Sequence, residues 1–313
     1  MQNGKRLSGG AGGVSDDGAL PRSTENATVK YCLVTCVRNE ATYLPATIES
    51  VLGQTSLPLE WVIVDDGSTD STGALIDSYA ERFPWIRAIH REDRGHRAKG
   101  GGVEAFLEAT SYLGRANWDF LVNLDGDLTF EPGYFQGCFE RFQNAPRLGI
   151  GGGTILEKFE GGLAPDGAPH FHVRGGAKIY RKECWNQLGG LICSLGWDTV
   201  DELKANQLGW ETRTFSDLFL VHHRMSGAVW GEWGKALNEG ESDFIVAYHP
   251  IFFAAKCVRH LVVWPYLIRS IGIVCGYLRA AAQGMPRLQD QELRKYLRNQ
   301  QLRRLFGQST IWK

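Results

Sequence analysis

The chain has 313 residues, 43% of them hydrophobic and 22% charged, with a net charge of −1. Such length and composition belong to a folded protein with a sizeable core, and exclude a disordered or collagen-like chain. The charge is unevenly placed. From Lys256 onward there are eleven Lys/Arg against two acids, and before it 23 against 33, so an anionic partner surface is expected for the tail. No nucleic-acid partner is expected.

Seven cysteines lie mostly in apolar stretches, and none form a Cys-x-x-Cys pair. They read as reduced core thiols of a cytoplasmic chain. Residues 1–28 are rich in Gly, Ser and Asp and lack the basic start and apolar run of a signal peptide; a disordered leader is expected.

Tyr31 to Val37 reads as a strand, followed by a helix opened by Pro45 with Leu44, Ile48, Val51 and Leu52 on one face. Leu59 to Val64 is the second strand, and its exit, Asp65 to Thr72, leads into a helix carrying Leu75, Ile76, Tyr79 and Phe83. Ile86 to His90 follows as strand three. A helix with Val103, Phe106, Leu107, Thr110 and Leu113 on one stripe precedes strand four, Phe120 to Leu124. This alternation predicts an α/β fold with a mostly parallel sheet covered on both faces.

In such a sheet, ligands bind beyond the carboxyl ends of the strands. Polar residues stand there: Arg38-Asn39-Glu40, Asp65-Asp66, Arg91 to Lys99, and Asp125-Gly126-Asp127. Asp125 and Asp127 flank a glycine, and two such carboxylates suit Mg²⁺ or Mn²⁺ bridging a diphosphate; an Asp-Gly turn or helix cap is the other reading. Asp65 and Asp66 would share the crevice. Two acidic clusters repel unless a cation or donor groups compensate them.

The segments TCVRNEATYLPATIESVLGQT (Thr35 to Thr55), VIVDDGSTDST (Val62 to Thr72) and NLDGD (Asn123 to Asp127) together resemble family 2 glycosyltransferases, over roughly Tyr31 to Arg224. The resemblance extends to members of bacterial polysaccharide synthesis. It implies an A-type nucleotide-sugar transferase fold, with a catalytic domain over 29–240 and a C-terminal helical extension over 241–313. It also implies a UDP- or GDP-linked sugar donor and a saccharide or lipid-linked acceptor. Val37, Glu40, Asp65 and Asp66 would surround base and ribose, Asp125 would hold ribose and metal, and Asp127 metal. Cys36 and Arg38 replace the proline and tyrosine common in the family's first motif.

Arg94, Arg97 and Lys99 precede Gly100-Gly101-Gly102 at a helix start, where cations and backbone N–H groups suit phosphate; a solvated charged loop is the alternative. Downstream, RGGAKIYRKECWNQLGGL and GWDTVDELKANQLGW resemble the family's acceptor-side segment. Counting back from Gly209 puts Asp198 in the place of the catalytic base, with Trp197 where a glutamate is usual. Asp201 and Glu202 are nearby alternatives, and N-capping is another role for Asp198. The implied reaction is a single inverting displacement in which the base deprotonates the acceptor hydroxyl. The alternatives are a polyprenyl-phosphate glycosyltransferase and a catalytically inactive sugar-nucleotide-binding protein.

A strand over Thr212 to Val221 ends at His222-His223-Arg224, where a histidine, His223 ahead of His222, would complete a metal shell and Arg224 would meet the diphosphate; a hydrogen-bonded structural histidine is the other reading. The stretch 226–240, with Trp230 and Trp233, reads as a mobile lid. His170 and His172 read as structural. Leu261 to Leu278 is apolar but interrupted by Pro265 and Arg269. Flanked by Lys256, Arg259, Arg279 and the basic helix Gln291 to Arg304, it suits an interfacial helix on an anionic membrane. A buried helix pair and an oligomer seam are the alternatives. The chain is expected in the cytoplasm, peripheral to the membrane.

Overall fold

The computed structural model describes residues 29–95, 102–113, 117–159, 161–165, 169, 171–224, 231–262 and 266–312. Arg97, Lys99, His170, Trp230 and the segment 1–28, all named above, lie outside these residues. The first half alternates as expected: β1 (Tyr31–Val37), α1 (Leu44–Leu52), β2 (Glu60–Asp65), α2 (Thr72–Arg82), β3 (Ile86–His90), α3 (Val103–Tyr112) and β4 (Phe120–Leu124). Then come β5 (Leu128–Phe130), α4 (Tyr134–Asn144), β6 (Leu148–Phe159), β7 (Gly162–Pro165), β8 (Ala177–Arg181), α5 (Lys182–Leu188), α6 (Trp197–Gln207) and β9 (Glu211–His222). Four helices follow: α7 (Gly231–Ile245), α8 (Pro250–Leu261), α9 (Leu267–Ala282) and α10 (Gln291–Leu305).

Among the described residues the strands form one sheet in the order β3-β2-β1-β4-β8-β6-β9-β5, with β7 on β6. The β3-β2-β1-β4 half is parallel. Beyond it β8 runs antiparallel to both β4 and β6. β1 reads YCLVTCV and is buried on both faces, as the middle of a covered parallel sheet must be. Its alternation splits the core. Tyr31, Leu33 and Val37 face a layer with Trp61, Phe135 and Phe139, while Cys32 and Val34 face one with Phe106, Tyr180 and Cys184.

The glycine run in β6 follows from close backbone crossing. A Cβ on Gly152 would stand 2.2 Å from the Ala177 carbonyl oxygen, and one on Gly153 2.6 Å from that of Leu218. Larger residues there would push β8 and β9 off the sheet.

Two expectations for the second half change. The segment 226–240 is not an open loop from Gly231 on, because α7 begins there; Ala236 and Gly240 are buried on it, and Glu232 pairs with Lys235 one turn later. The boundary expected at 240/241 therefore falls inside a helix. The apolar stretch Leu261 to Leu278 is not one element either, since α8 ends at Leu261 and α9 starts at Leu267. Among the described residues no helix is long and apolar enough to cross a membrane.

Candidate active site

A cleft of about 360 Å³ opens at the carboxyl ends of β1 and β4. Cys36 and Glu40 line it from the β1 exit, Asp125, Gly126 and Asp127 from the β4 exit, and Gly102, Val103 and Phe106 from the start of α3. The opposite wall is Arg174-Gly175-Gly176, Trp197 and Asp198, with His222 and Arg224 closing one end.

Glycines decide how near these walls come. A Cβ on Gly176 would lie 2.3 Å from Asp125 Oδ2, and one on Gly175 2.7 Å from the Trp197 ring. The pair is therefore pressed between the Asp125 carboxylate and the start of α6. It is clamped to β4, because the Asp125 N–H donates to the Gly176 carbonyl (2.8 Å) and Asn123 Nδ2 to that of Gly175 (2.7 Å).

Asp127 is 7% exposed. His222 Nε2 lies 3.2 Å from its Oδ2, and Nδ1 lies 3.6 Å from Glu157 on β6. Two strand registers bring these together, Leu128 opposite His222 and Glu157 opposite His222. Burial opposes a charge on His222, but Asp127, Asp125 and Glu157 outweigh it and raise its pKa. His223, expected as the ligand, is an exposed neighbour on the other face of the pleat. Its Nε2 meets Thr129 Oγ1 at 2.9 Å and its ring stacks on Tyr43. Of the two histidines, His222 is the one whose ring stands beside Asp127.

Among the described residues no three His, Cys, Asp or Glu side chains converge into a ready-made metal cage. Asp125, Asp127 and His222 nevertheless suit Mg²⁺ or Mn²⁺ in donor type, since such cations take one or two carboxylates and fill other positions with substrate phosphate.

Other expected donor contacts are placed differently. Val37 is 1% exposed and packs in the core, where a Cβ on Gly126 would meet its Cγ1 at 2.3 Å; Cys36, one residue earlier, faces the cleft instead. Glu40 lines the cleft, with Oε2 2.6 Å from Arg224. Asp65 accepts from the Ser68 N–H (2.8 Å) and lies 3.3 Å from His90 Nδ1. Asp66 takes Arg91 at 2.7 Å and Arg94 at 3.2 Å, and Arg94 also holds Glu104 at 2.8 Å. Neither aspartate lines the cleft. The compensating groups expected at the acidic clusters are the Ser68 N–H and His90 for Asp65, Arg91 and Arg94 for Asp66 and His222 for Asp127, and Arg94 is held by carboxylates. Among the described residues the arginines and lysines on the cleft wall are Arg224 and Arg174; reading the sequence missed Arg174, although it directly precedes the glycine pair.

Behind the far wall lies a buried polar network centred on Lys178, the second residue of β8, which is fully buried. Its Nζ lies 3.0 Å from both carboxylate oxygens of Asp201, 3.2 Å from Glu202 and 2.7 Å from the Asp198 carbonyl. Burial opposes the ammonium, but Asp201, Glu202 and Asp198 hold its pKa above the ordinary lysine value. Tyr180 donates to Asp201 at 2.6 Å. The Val173 N–H donates to Glu202 at 2.7 Å, and His172 Nδ1 lies 3.0 Å from the same carboxylate. His172 Nε2 then stands 3.6 Å from Asp198 Oδ2.

Asp201 and Glu202 are thus consumed inside the protein, while the Asp198 side chain, 29% exposed, reaches the cleft. The N-cap reading of Asp198 does not hold, because Gly196 occupies that position and no side chain caps α6. His172, read from the sequence with His170 as merely structural, stands between this network and the Asp198 side chain, whereas Lys178 meets the Asp198 carbonyl; a histidine pair in a Gly/Pro-rich stretch carried no signal of it.

A strand-end cleft lined by carboxylates and arginines on this mixed sheet fits an A-type glycosyltransferase fold, and a family match and a solved structure show it. Residues 32–194, just over half the chain, match the family described as Glycosyl transferase family 2, and the chain belongs to that family. It is 33% identical over 123 residues to an uncharacterized glycosyltransferase, alr2836, of Nostoc sp., covering 39% of this chain and 35% of that one. It is 24% identical over 222 residues to the minor teichoic acid biosynthesis protein GgaA of Bacillus subtilis, covering 64% and 45%. The chain therefore spans less than half the length of these curated relatives. The mannosyltransferase PcManGT of Pyrobaculum calidifontis, solved with GDP-Man and Mn²⁺, shares the fold with a TM-score of 0.52 at 15% identity, covering 89% of this chain and 88% of that one.

Proposed function

We propose that the chain is an inverting, divalent-cation-assisted glycosyltransferase. It would move a hexosyl group from a UDP- or GDP-linked donor to a saccharide or lipid-linked acceptor at the cytoplasmic face of a membrane, in cell-surface polysaccharide synthesis. The observation that carries the reading is the selection among three neighbouring carboxylates: Asp201 and Glu202 are locked by Lys178, and Asp198 alone of the three lines the cleft. The GDP-Man and Mn²⁺ of PcManGT support the donor and cation, and the teichoic acid role of GgaA supports the polysaccharide setting.

Asp125, Asp127 and His222 would hold the Mg²⁺ or Mn²⁺, which when bound offsets charge on the leaving diphosphate. Arg174 and Arg224 face the same cleft and would bind and orient the donor's phosphates. Glu40 keeps Arg224 at the β1 exit. Asp198 accepts the proton of the acceptor hydroxyl as it attacks the anomeric carbon from the face opposite the diphosphate, so one displacement inverts that centre. His172 acts as a positioning residue, holding the Asp198 carboxylate toward the cleft from its own anchor on Glu202.

Release of nucleotide from a panel of UDP- and GDP-sugars, in Mn²⁺ or EDTA with membrane extract as acceptor source, tests the reading. The expected result is cation-dependent release with one donor, lowered by roughly 10²- to 10⁴-fold in Asp198→Asn while donor binding persists. Donor binding without turnover in any extract would replace it with the inactive binding protein. Turnover that survives Asp198→Asn would point to a polyprenyl phosphate acceptor, which is already ionised and needs no base.

A further inference from the structure

The α8–α9 pair is packed in reverse of an ordinary helix on a water-soluble domain. A soluble amphipathic helix buries its large apolar side chains and shows polar ones to water. In α9 the residues turned inward are mostly small, Ser270, Gly272, Gly276 and Ala280, with Ile273. A Cβ on Gly276 would stand 2.0 Å from the Leu237 carbonyl oxygen of α7, and one on Gly240 of α7 1.9 Å from that of Ile273. The two helices thus meet backbone to backbone.

Four large aliphatic residues of α9 point away from the protein. Leu267, Ile268, Ile271 and Leu278 are 51–61% exposed, and α8 adds Val258 at 63% while burying no residue fully. Small residues between helices with large aliphatic residues outside is the arrangement of helices whose surroundings are lipid.

The charges agree. No acidic residue occurs between Asp243 and Asp290. The sequence pattern suggested Lys256 and Arg279 as headgroup contacts. Lys256 is turned inward to Glu239 and Asp243, while Arg269 pairs with Glu239 and Arg279 with Glu241, all on α7, with both arginine side chains still 39% exposed. The outer face is thus largely apolar, with paired Arg269 and Arg279 and exposed Arg259 around it. An anionic surface meets no repelling carboxylate along this whole stretch.

We propose that the outer face of α8 and α9 docks on a lipid bilayer whose headgroups include anionic ones, lying in the interface rather than crossing it. The 16 residues of α9 span about 24 Å, short of the roughly 30 Å of hydrocarbon in a bilayer. The face is joined to the cleft. α7 carries α9 on one side, and on the other its Ser242 and Val246 pack on Gly196, two residues before Asp198. Docking would therefore hold the base at a fixed height above the membrane, where a lipid-linked acceptor presents its hydroxyl. The inference rests on the membrane setting proposed above, but its test reads binding and not turnover, so the two fail separately.

The full chain is floated with vesicles of phosphatidylcholine and phosphatidylglycerol, beside Leu267→Glu/Ile271→Glu, which changes only outward side chains and whose folding is checked by its thermal melt. The native chain is expected to float, and the double variant to bind roughly tenfold less or weaker. Native binding that stays in the aqueous layer overturns the proposal. So does binding unchanged in the double variant but lost in about 1 M salt, which would assign it to the exposed arginines of α10. A native dimer in solution that the double variant converts to a monomer, with no flotation of either, would assign the face to a second copy of the chain.

Discussion

Replacing Lys178 by Met keeps most of the side-chain volume and deletes the one ammonium that compensates Asp201 and Glu202. Both carboxylates are at most 7% exposed and lie 3.0 and 3.2 Å from the nitrogen, so neither water nor salt can stand in for it. Removing one partner of a buried ion pair leaves an uncompensated charge and costs about 3–5 kcal/mol. The hydrogen bonds of Tyr180 to Asp201 and of the Val173 N–H to Glu202 remain, which favours the lower half of that range. Urea unfolding followed by tryptophan fluorescence should show a loss of about 3 kcal/mol. Adding Asp201→Asn should restore part of it, because one of the two stranded charges is then gone. A Lys178→Met loss within about 0.5 kcal/mol of zero, the range of ordinary surface changes, would refute the reasoning, as would two substitutions that simply add.

Two further outcomes follow from the same geometry. The folded-state pKa of His172 is raised: burial works against the imidazolium, and Glu202 and Asp198 more than offset it. A raised pKa contributes stability that is full below the unfolded value of about 6.5 and fades as pH rises through the folded value. The stability gap between the native chain and His172→Gln should therefore be widest in mild acid and narrow above neutrality in urea unfolding across pH; a gap that widens toward high pH contradicts this assignment. Gly276→Val should separate α9 from α7, since the new side chain would meet the Leu237 carbonyl. Overpacking of this kind costs about 1–3 kcal/mol, and hydrogen exchange should show faster opening confined to α7 and α9.

The alternation of the first half was legible because each strand is a short apolar run and each helix carries a stripe of the right period; β1, β3 and β4 fall where the sequence places them. That Asp125 and Asp127 stand at a strand end was legible for the same reason, since strand ends are local features, whereas Asp198 was singled out by the resemblance and not by local pattern. The sequence by itself also determines that the tail is basic and apolar, because that is composition. Tertiary structure decided the rest. That His222 and not His223 stands beside Asp127 depends on which face of β9 the pleat turns to it, a matter of register. That Asp198 and not Asp201 lines the cleft depends on Lys178, which comes from a strand twenty residues earlier and pairs with Asp201 inside the protein. Val37 lost its expected place because alternation along β1 turns Cys36, and not Val37, to the cleft. Lys256 and Arg279 are drawn toward α7 because its acids pair with them. In each case the outcome was set by a partner distant in sequence, and local pattern carries no record of that partner.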